Sequence, residues 1–261
     1  MKDDPIPPIV MGPQMNALIN GASRGIGLAL VDALLAEVSV DRVFATARRA
    51  SISEALLARA AVDPRLQVLD MDSTLESSVS GAAAAIRAAT PHIDLVINCA
   101  GLLHDGDGLQ PEKRLAEVNA ANLQRSFAVN AIGPLLIGKH LQGLLHHQRR
   151  SVFVNLSARV GSISDNRLGG WHSYRISKAA QNMVTKNLSI ELRRRARGII
   201  CVALHPGTVD TALSRPFQER VPVNRLFSPE RAARHLLDVI GGLKPDDNGG
   251  FFAWDGQSIP W

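Results

Sequence analysis

Residues 17–38 constrain this chain more than any other stretch. Ala17-Leu18-Ile19 is a short apolar run that ends in Asn20-Gly21-Ala22-Ser23-Arg24-Gly25-Ile26-Gly27. From Ile26 to Val38 the apolar residues recur at helical spacing, so the chain passes from a strand through a glycine-rich turn directly into a helix. Glycines let the backbone turn tightly and let a ligand approach it, and the opening turn of a helix presents unpaired N–H groups to an anion. The spacing here is G-x-x-x-G-x-G rather than G-x-G-x-x-G, but the strand-to-helix context is the one a dinucleotide site requires. Taken alone, the turn also fits a merely tight strand-to-helix connection.

The same alternation continues along the chain. Strands are predicted at 42–46, 66–69, 93–98, 152–156, 199–204 and 250–253. Helices are predicted at about 74–89, 112–148 (interrupted near Gly133-Pro134), 172–197 and 229–240, and Ser51-x-x-Glu54 reads as the capping-box start of one more. Strands that are apolar on both faces and separated by helices imply right-handed βαβ units and a parallel sheet covered on both sides. The expected fold class is therefore α/β, a doubly wound and mostly parallel sheet in one domain over residues 16–261. A Pro-rich flexible tail is expected at 1–15.

Composition matters here for what it excludes. The net charge of +5 suggests nucleic acid, but the basic residues Arg193–Arg195 and Arg197, like His146, His147, Arg149 and Arg150, fall where helices end and oppose the helix dipole. With one tyrosine and 4% aromatics there is no platform on which bases could stack, so no nucleic-acid partner is expected. No apolar run approaches 18 residues, so no membrane span is expected. Asp3, Asp4, Pro5, Pro7 and Pro8 do not make a signal peptide, and two cysteines, Cys99 and Cys201, suit a reducing compartment; a cytoplasmic location is expected. The eight histidines and two cysteines lack ligand spacing, so no metal site is expected.

Three further features bear on chemistry. Tyr174 and Lys178 stand at i and i+4 on a predicted helix, so they share a face, and an ammonium beside a phenol pulls its pKa down toward the working range. Asn130 is a polar residue in an apolar helical stretch, where it needs a structural reason. After the second strand, Ala47-Arg48-Arg49 contains no carboxylate for a ribose hydroxyl, whereas Arg48 and Arg24 suit a 2′-phosphate.

In their order along the chain, the glycine turn, Asn98-Cys99-Ala100-Gly101, Asn130, Tyr174-x-x-x-Lys178 and Pro206-Gly207-Thr208 resemble the short-chain dehydrogenase/reductase family over residues 16–261. Leu156-Ser157-Ala158-Arg159-Val160-Gly161-Ser162-Ile163 and the ending Trp254-Asp255-Gly256…Pro260-Trp261 resemble its branch of C-factor-like proteins and carbonyl reductases. The resemblance implies a Rossmann-type sheet, NADP(H) in preference to NAD(H), and hydride transfer between nicotinamide and a small carbonyl or alcohol substrate. It implies Tyr174 as acid/base, Lys178 as its activator and ribose ligand, and Asn130 as the residue that bends its helix and holds a relay water. It implies cofactor contacts from Gly21, Ser23, Arg24, Gly25, Ile26, Gly27, Arg48, Asp70, Met71, Asn98, Ala100 and Gly101, and from Pro206, Gly207, Thr208, Val209 and Thr211. The family's substrate-orienting serine is the second of a Ser-Ser pair. Here the pair is Ser157-Ala158, so Ser157 is assigned the role, with Ser162 as the other hydroxyl in reach. A non-catalytic, dinucleotide-binding signalling protein is the competing reading, and Ala158 keeps it open. The substrate pocket is expected from 102–110, 163–171 and 211–227. The helices at 112–148 and 172–197 carry more apolar positions than one sheet contact uses, and a homodimer or homotetramer is expected.

Overall fold

The computed structural model describes residues 14–105, 108–219 and 221–261. Most of the predicted tail thus lies outside the described residues, and Met15 already belongs to the first strand, β1 (Met15–Asn20). The glycine turn leads into α1 (Gly25–Leu35), followed by β2 (Val40–Ala47), α2 (Glu54–Ala60), β3 (Leu66–Asp70), α3 (Glu76–Ala89) and β4 (Leu95–Asn98). Next come α4 (Ala120–Phe127), α5 (Gly133–Leu145), β5 (Ser151–Leu156), α6 (His172–Arg193) and β6 (Ile199–His205). A short parallel pair, β7 (Thr208–Val209) and β8 (Leu226–Phe227), precedes α7 (Pro229–Gly242) and β9 (Phe251–Ala253).

Seven parallel strands form one sheet in the order β3-β2-β1-β4-β5-β6-β9. Alternate residues of each strand serve opposite faces. In β1, Met15, Ala17 and Ile19 join the core under α1 and α7, while Leu18 joins the core under α3, α5 and α6. Val152, Val154 and Leu156 of β5 likewise face one core and Phe153 the other. Burial on both faces explains why these strands are uniformly apolar. The strand order reverses between β1 and β4, and this reversal opens a crevice at their carboxyl ends. No described helix is long and apolar enough to cross a membrane.

Several predicted boundaries are corrected. The 112–148 segment is not one helix: a 3-10 turn at Leu115–Glu117 precedes α4, and Asn119 caps α4 by accepting from the Ala121 and Asn122 amides. The interruption is a wide π turn at Ala128–Ile132, ending just before Gly133, which packs so closely on Ser73 that a Cβ would lie 2.9 Å from its hydroxyl. The predicted capping box does not form. Ser51 donates its amide and hydroxyl to Asp70 instead, and α2 starts after Ser53 without a side-chain cap. Helix α6 stops at Arg193, four residues earlier than expected. The basic run at 149–150 serves helix ends differently than expected, with the Arg150 guanidinium donating to the Ile240 and Leu243 carbonyls at the end of α7.

Candidate active site

The glycine turn closes against the strands that flank it. Gly21 (φ 80°) and Ala22 donate their amides to the Thr46 carbonyl, and a Cβ on Gly21 would lie 2.6 Å from the Ala100 nitrogen. A Cβ on Gly27 would stand 2.3 Å from the Gly21 carbonyl oxygen, so neither position admits a side chain without displacing backbone. The preceding cap residue, Arg24, is extended and makes no side-chain cap, and the first turn of α1 carries no acid. The first-turn amides of α1 thus have no side-chain cap, a setting suited to an outside anion. Gly25 (φ 57°) comes within 3.2 Å, measured from an added Cβ, of the Thr211 methyl, so the 206–211 loop reaches across the crevice. This cradle fits a dinucleotide diphosphate. Ser23 and Ile26 line the turn half-buried.

Arg24 and Arg48 are exposed at the mouth of the crevice, and among the described residues no carboxylate pairs with either. The other expected cofactor contacts divide. Ala100 and Gly101 follow β4 into the crevice, and Pro206, Gly207 (φ 78°), Thr208 and Val209 form the opposite wall. The Asn98 side chain, by contrast, is wholly buried and donates to Asn155 Oδ1 at 2.7 Å, tying β4 to β5. Met71 packs its side chain into the core. The Asp70 carboxylate is held by Ser51, whose hydrogen bonds lower its pKa.

Tyr174 and Lys178 lie one turn apart on α6, with the Lys178 ammonium 5.8 Å from the centre of the phenol ring. Lys178 is 3% exposed and donates to the Leu156 carbonyl (2.8 Å) and to Gln181 Oε1 (2.9 Å). Burial brings its pKa down to about 7. For Tyr174 the expected direction is reversed: desolvation pushes the phenol pKa up, because its 8% exposure leaves little water to stabilise a phenolate. Asn130, fully buried in the π turn, accepts from the Leu102 amide and donates to the Leu102 carbonyl, both at 2.8 Å, and donates to Ser177 Oγ at 2.9 Å. A Cβ on Gly101 would lie 3.6 Å from Asn130 Oδ1 and 3.8 Å from Lys178 Nζ, so these groups meet at the inner end of the crevice.

Ser157 follows the Leu156 carbonyl that holds Lys178, but its hydroxyl is engaged. Its hydroxyl donates to Asn182 Oδ1 at 2.6 Å, and the Asn182 amide group donates to the Gly161 carbonyl. Ser162 is also engaged, donating to the Pro260 carbonyl at 2.5 Å and accepting from the Asp165 amide. His205 closes β6, where burial brings its pKa down to about 4 and keeps the ring neutral at physiological pH. The pocket segments 102–110 and 211–227 include residues 106, 107 and 220, which lie outside the described residues.

A model of the short chain dehydrogenase family matches residues 15–222. The chain belongs to that family. It is similar to C-signal of Myxococcus xanthus, with 37% identity over 178 residues that cover 68% of this chain and 98% of C-signal. Its fold is similar to that of the NADPH-bound carbonyl reductase from chicken fatty liver (TM-score 0.83, 29% identity, 97% of each chain). It is also similar to the carbonyl reductase Sniffer of D. melanogaster (TM-score 0.84, 26% identity, 96% of this chain and 100% of that one).

Some site residues escaped the sequence reading. Ser177, Gln181 and Asn182 bind Asn130, Lys178 and Ser157, respectively, from the buried side of α6. Their signal was present as polar residues at i+3 and i+4 from the Tyr/Lys pair. Glu112, 3% exposed, accepts from the Ser173 amide and hydroxyl at the start of α6, and nothing in its neighbours' pattern marks it.

Proposed function

We propose that this dehydrogenase is an NADP(H)-dependent carbonyl reductase with Tyr174 as its proton donor. The observation that carries this reading is the buried phenol with Lys178 Nζ 5.8 Å from its ring centre, at the end of a crevice whose mouth forms a diphosphate cradle. NADPH bound there would supply the hydride. Tyr174 Oη gives its proton to the carbonyl oxygen as the alkoxide develops, and Lys178, partly protonated near neutral pH, stabilises the phenolate left behind in the molecules where it holds its charge. Asn130 holds Leu102, and with it the wall opposite Lys178. The unpaired Arg24 and Arg48 support NADP(H) over NAD(H), as does the similarity to an NADPH-bound carbonyl reductase. Free Cys99 and Cys201 fit a cytoplasmic location.

The test is NADPH oxidation against a panel of aldehydes, ketones and quinones. Tyr174→Phe should lower kcat by at least about 100-fold with dinucleotide binding retained. Near-normal turnover in the variant would remove Tyr174 from the reaction. A second reading, a dinucleotide-binding signalling protein without turnover, is favoured by Ala158 and by the engaged Ser157 hydroxyl. No turnover across the panel, with NADPH bound, would select it.

The outer face of α6 supports a homodimer or homotetramer. Ile176, Met183 and Ile190, seven residues apart, are about half exposed, as are Ile132 and Leu135 at the π turn and the start of α5. An apolar stripe of this kind is suited to a second copy of the same helix.

A further inference from the structure

Just before the helix that carries Tyr174, the backbone takes three successive left-handed residues: Gly169 (φ 61°), Gly170 (φ 64°) and Trp171 (φ 49°). Glycine adopts this conformation freely, but a bulky side chain does so only where its surroundings impose it. Two contacts impose it here. The Trp171 amide donates to the Glu112 carbonyl at 2.5 Å, and the buried Glu112 carboxylate accepts from the Ser173 amide and hydroxyl. Trp171 is thus clamped from both sides by one residue.

The clamp fixes the position of the indole. Its ring centre lies 4.9 Å from that of Phe217, tilted by 56°, and 6.4 Å edge-on from that of Tyr174. Phe217 belongs to the 3-10 turn Arg215–Phe217 and meets His104 at 5.8 Å on another side, while His104 Nε2 lies 3.0 Å from the Leu213 carbonyl. Three chain segments, after β4, before α6 and after β7, thus converge beside the proton donor through aromatic rings. Trp171, Phe217 and His104 are all half-buried, so each ring keeps some open surface. The carboxylate of Glu112, whose backbone carbonyl holds Trp171, is taken up by Ser173.

We infer that Trp171 and Phe217 are specificity-determining residues that select carbonyl substrates with a flat aromatic ring over saturated ones of the same size. This inference rests on the carbonyl-reductase reading above. Offset and edge-on ring pairs 4.5–7 Å apart are favoured beyond the area they bury, by an amount equivalent to roughly a three- to tenfold preference. A saturated ring fills the same space without that gain.

The test compares benzaldehyde with cyclohexanecarbaldehyde in the wild-type protein, in Trp171→Gly and in Phe217→Leu. Glycine suits the left-handed backbone at 171, so Trp171→Gly removes the ring without straining the turn, and its melting temperature checks this. The ratio of kcat/KM values, aryl over saturated, should fall about three- to tenfold in each variant, mainly through KM. If Trp171 merely braced Tyr174, both aldehydes would lose kcat equally and the ratio would not move, which would overturn the inference. A parallel arm requires no turnover: calorimetric binding of benzamide and of cyclohexanecarboxamide to the protein saturated with NADPH. Tighter benzamide binding that is lost in Trp171→Gly supports the ring contacts even if neither aldehyde is reduced, a result that would count against the reductase reading alone. Equal binding of the two amides to the wild-type protein overturns the inference whatever the turnover.

Discussion

Replacing Lys178 by methionine keeps a side chain of similar length and removes a buried charge. In the folded protein burial brings the Lys178 pKa down to about 7, whereas an unfolded chain leaves it near 10.4. Between these values the unfolded chain holds a proton that the folded one has shed, so stability rises with pH across this window. Integrated for one group from pH 7 to pH 9, the gain is about 2 kcal/mol. Above pH 9 the buried thiols act in the opposite sense. Burial raises the pKa of Cys201 to about 12 and that of Cys99 further, so these thiols ionise first in the unfolded chain and stability falls. The window for Lys178 is therefore pH 7 to 9.

Urea unfolding at several pH values, for the wild-type protein and for Lys178→Met, isolates this contribution. The variant leaves the Leu156 carbonyl and Gln181 Oε1 without their donor, but that cost does not depend on pH and cancels in the comparison. The wild type should gain about 2 kcal/mol relative to the variant between pH 7 and pH 9. Parallel curves would mean that the ammonium stays fully charged at neutral pH despite its burial. The reasoning that desolvation governs this site would then fail, and with it the protonated state assigned to Tyr174.

Arg48→Asp should remove or invert an NADPH-over-NADH preference of at least about tenfold in Kd, since each charge-assisted bond to the 2′-phosphate contributes roughly 1.5–3 kcal/mol; fluorescence titration with both dinucleotides measures it. Asn130→Ala strands the Leu102 amide and carbonyl, and chemical denaturation should show a loss of about 2–4 kcal/mol. Light scattering at micromolar protein should give a mass of two or four chains, and a mass near 28.1 kDa would refute the assembly.

The α/β alternation was legible because strands buried on both faces become apolar runs, and those runs differ from the periodic helices around them. The breaks were harder to see. A helix running from 112 was expected because local periodicity does not register the Asn119 cap or the backbone bonds Asn130 makes to Leu102, 28 residues away. The glycine cradle could be read from residue type because the close approaches at Gly21 and Gly27 admit no other residue. The Tyr174–Lys178 pair could be read from its spacing, but the direction of the Tyr174 pKa shift could not. Spacing shows which charge is near, whereas burial depends on the whole fold. Ser157 illustrates the same limit. Its place at the end of β5 was evident, but its hydrogen bond to Asn182, a residue 25 positions later on α6, was not.

As far as Thr185, helix α6 buries mostly polar side chains, Ser177, Lys178, Gln181 and Asn182 among them, before Leu188 and Leu192 join the core, while Ile176, Met183 and Ile190 lie exposed. The polar side grips the ends of the strands at fixed points. Ser177 accepts from Asn130, Lys178 reaches the Leu156 carbonyl, Asn182 joins Ser157 to Gly161, and Thr185 accepts from Asn155. An apolar face could slide by a fraction of a turn with little change in contact, whereas each of these bonds has one partner at one distance. They set the register of α6 and so the position of the Tyr174 hydroxyl. The arrangement has a chemical consequence. The Ser157 proton goes to Asn182, and the next residue, Ala158, has no hydroxyl with which to hold a carbonyl oxygen. With that donor used in the framework, the proposed reductase would rely on Tyr174 for its polar contact to the substrate, which is why the rings of Trp171 and Phe217 are the groups to test for orienting it.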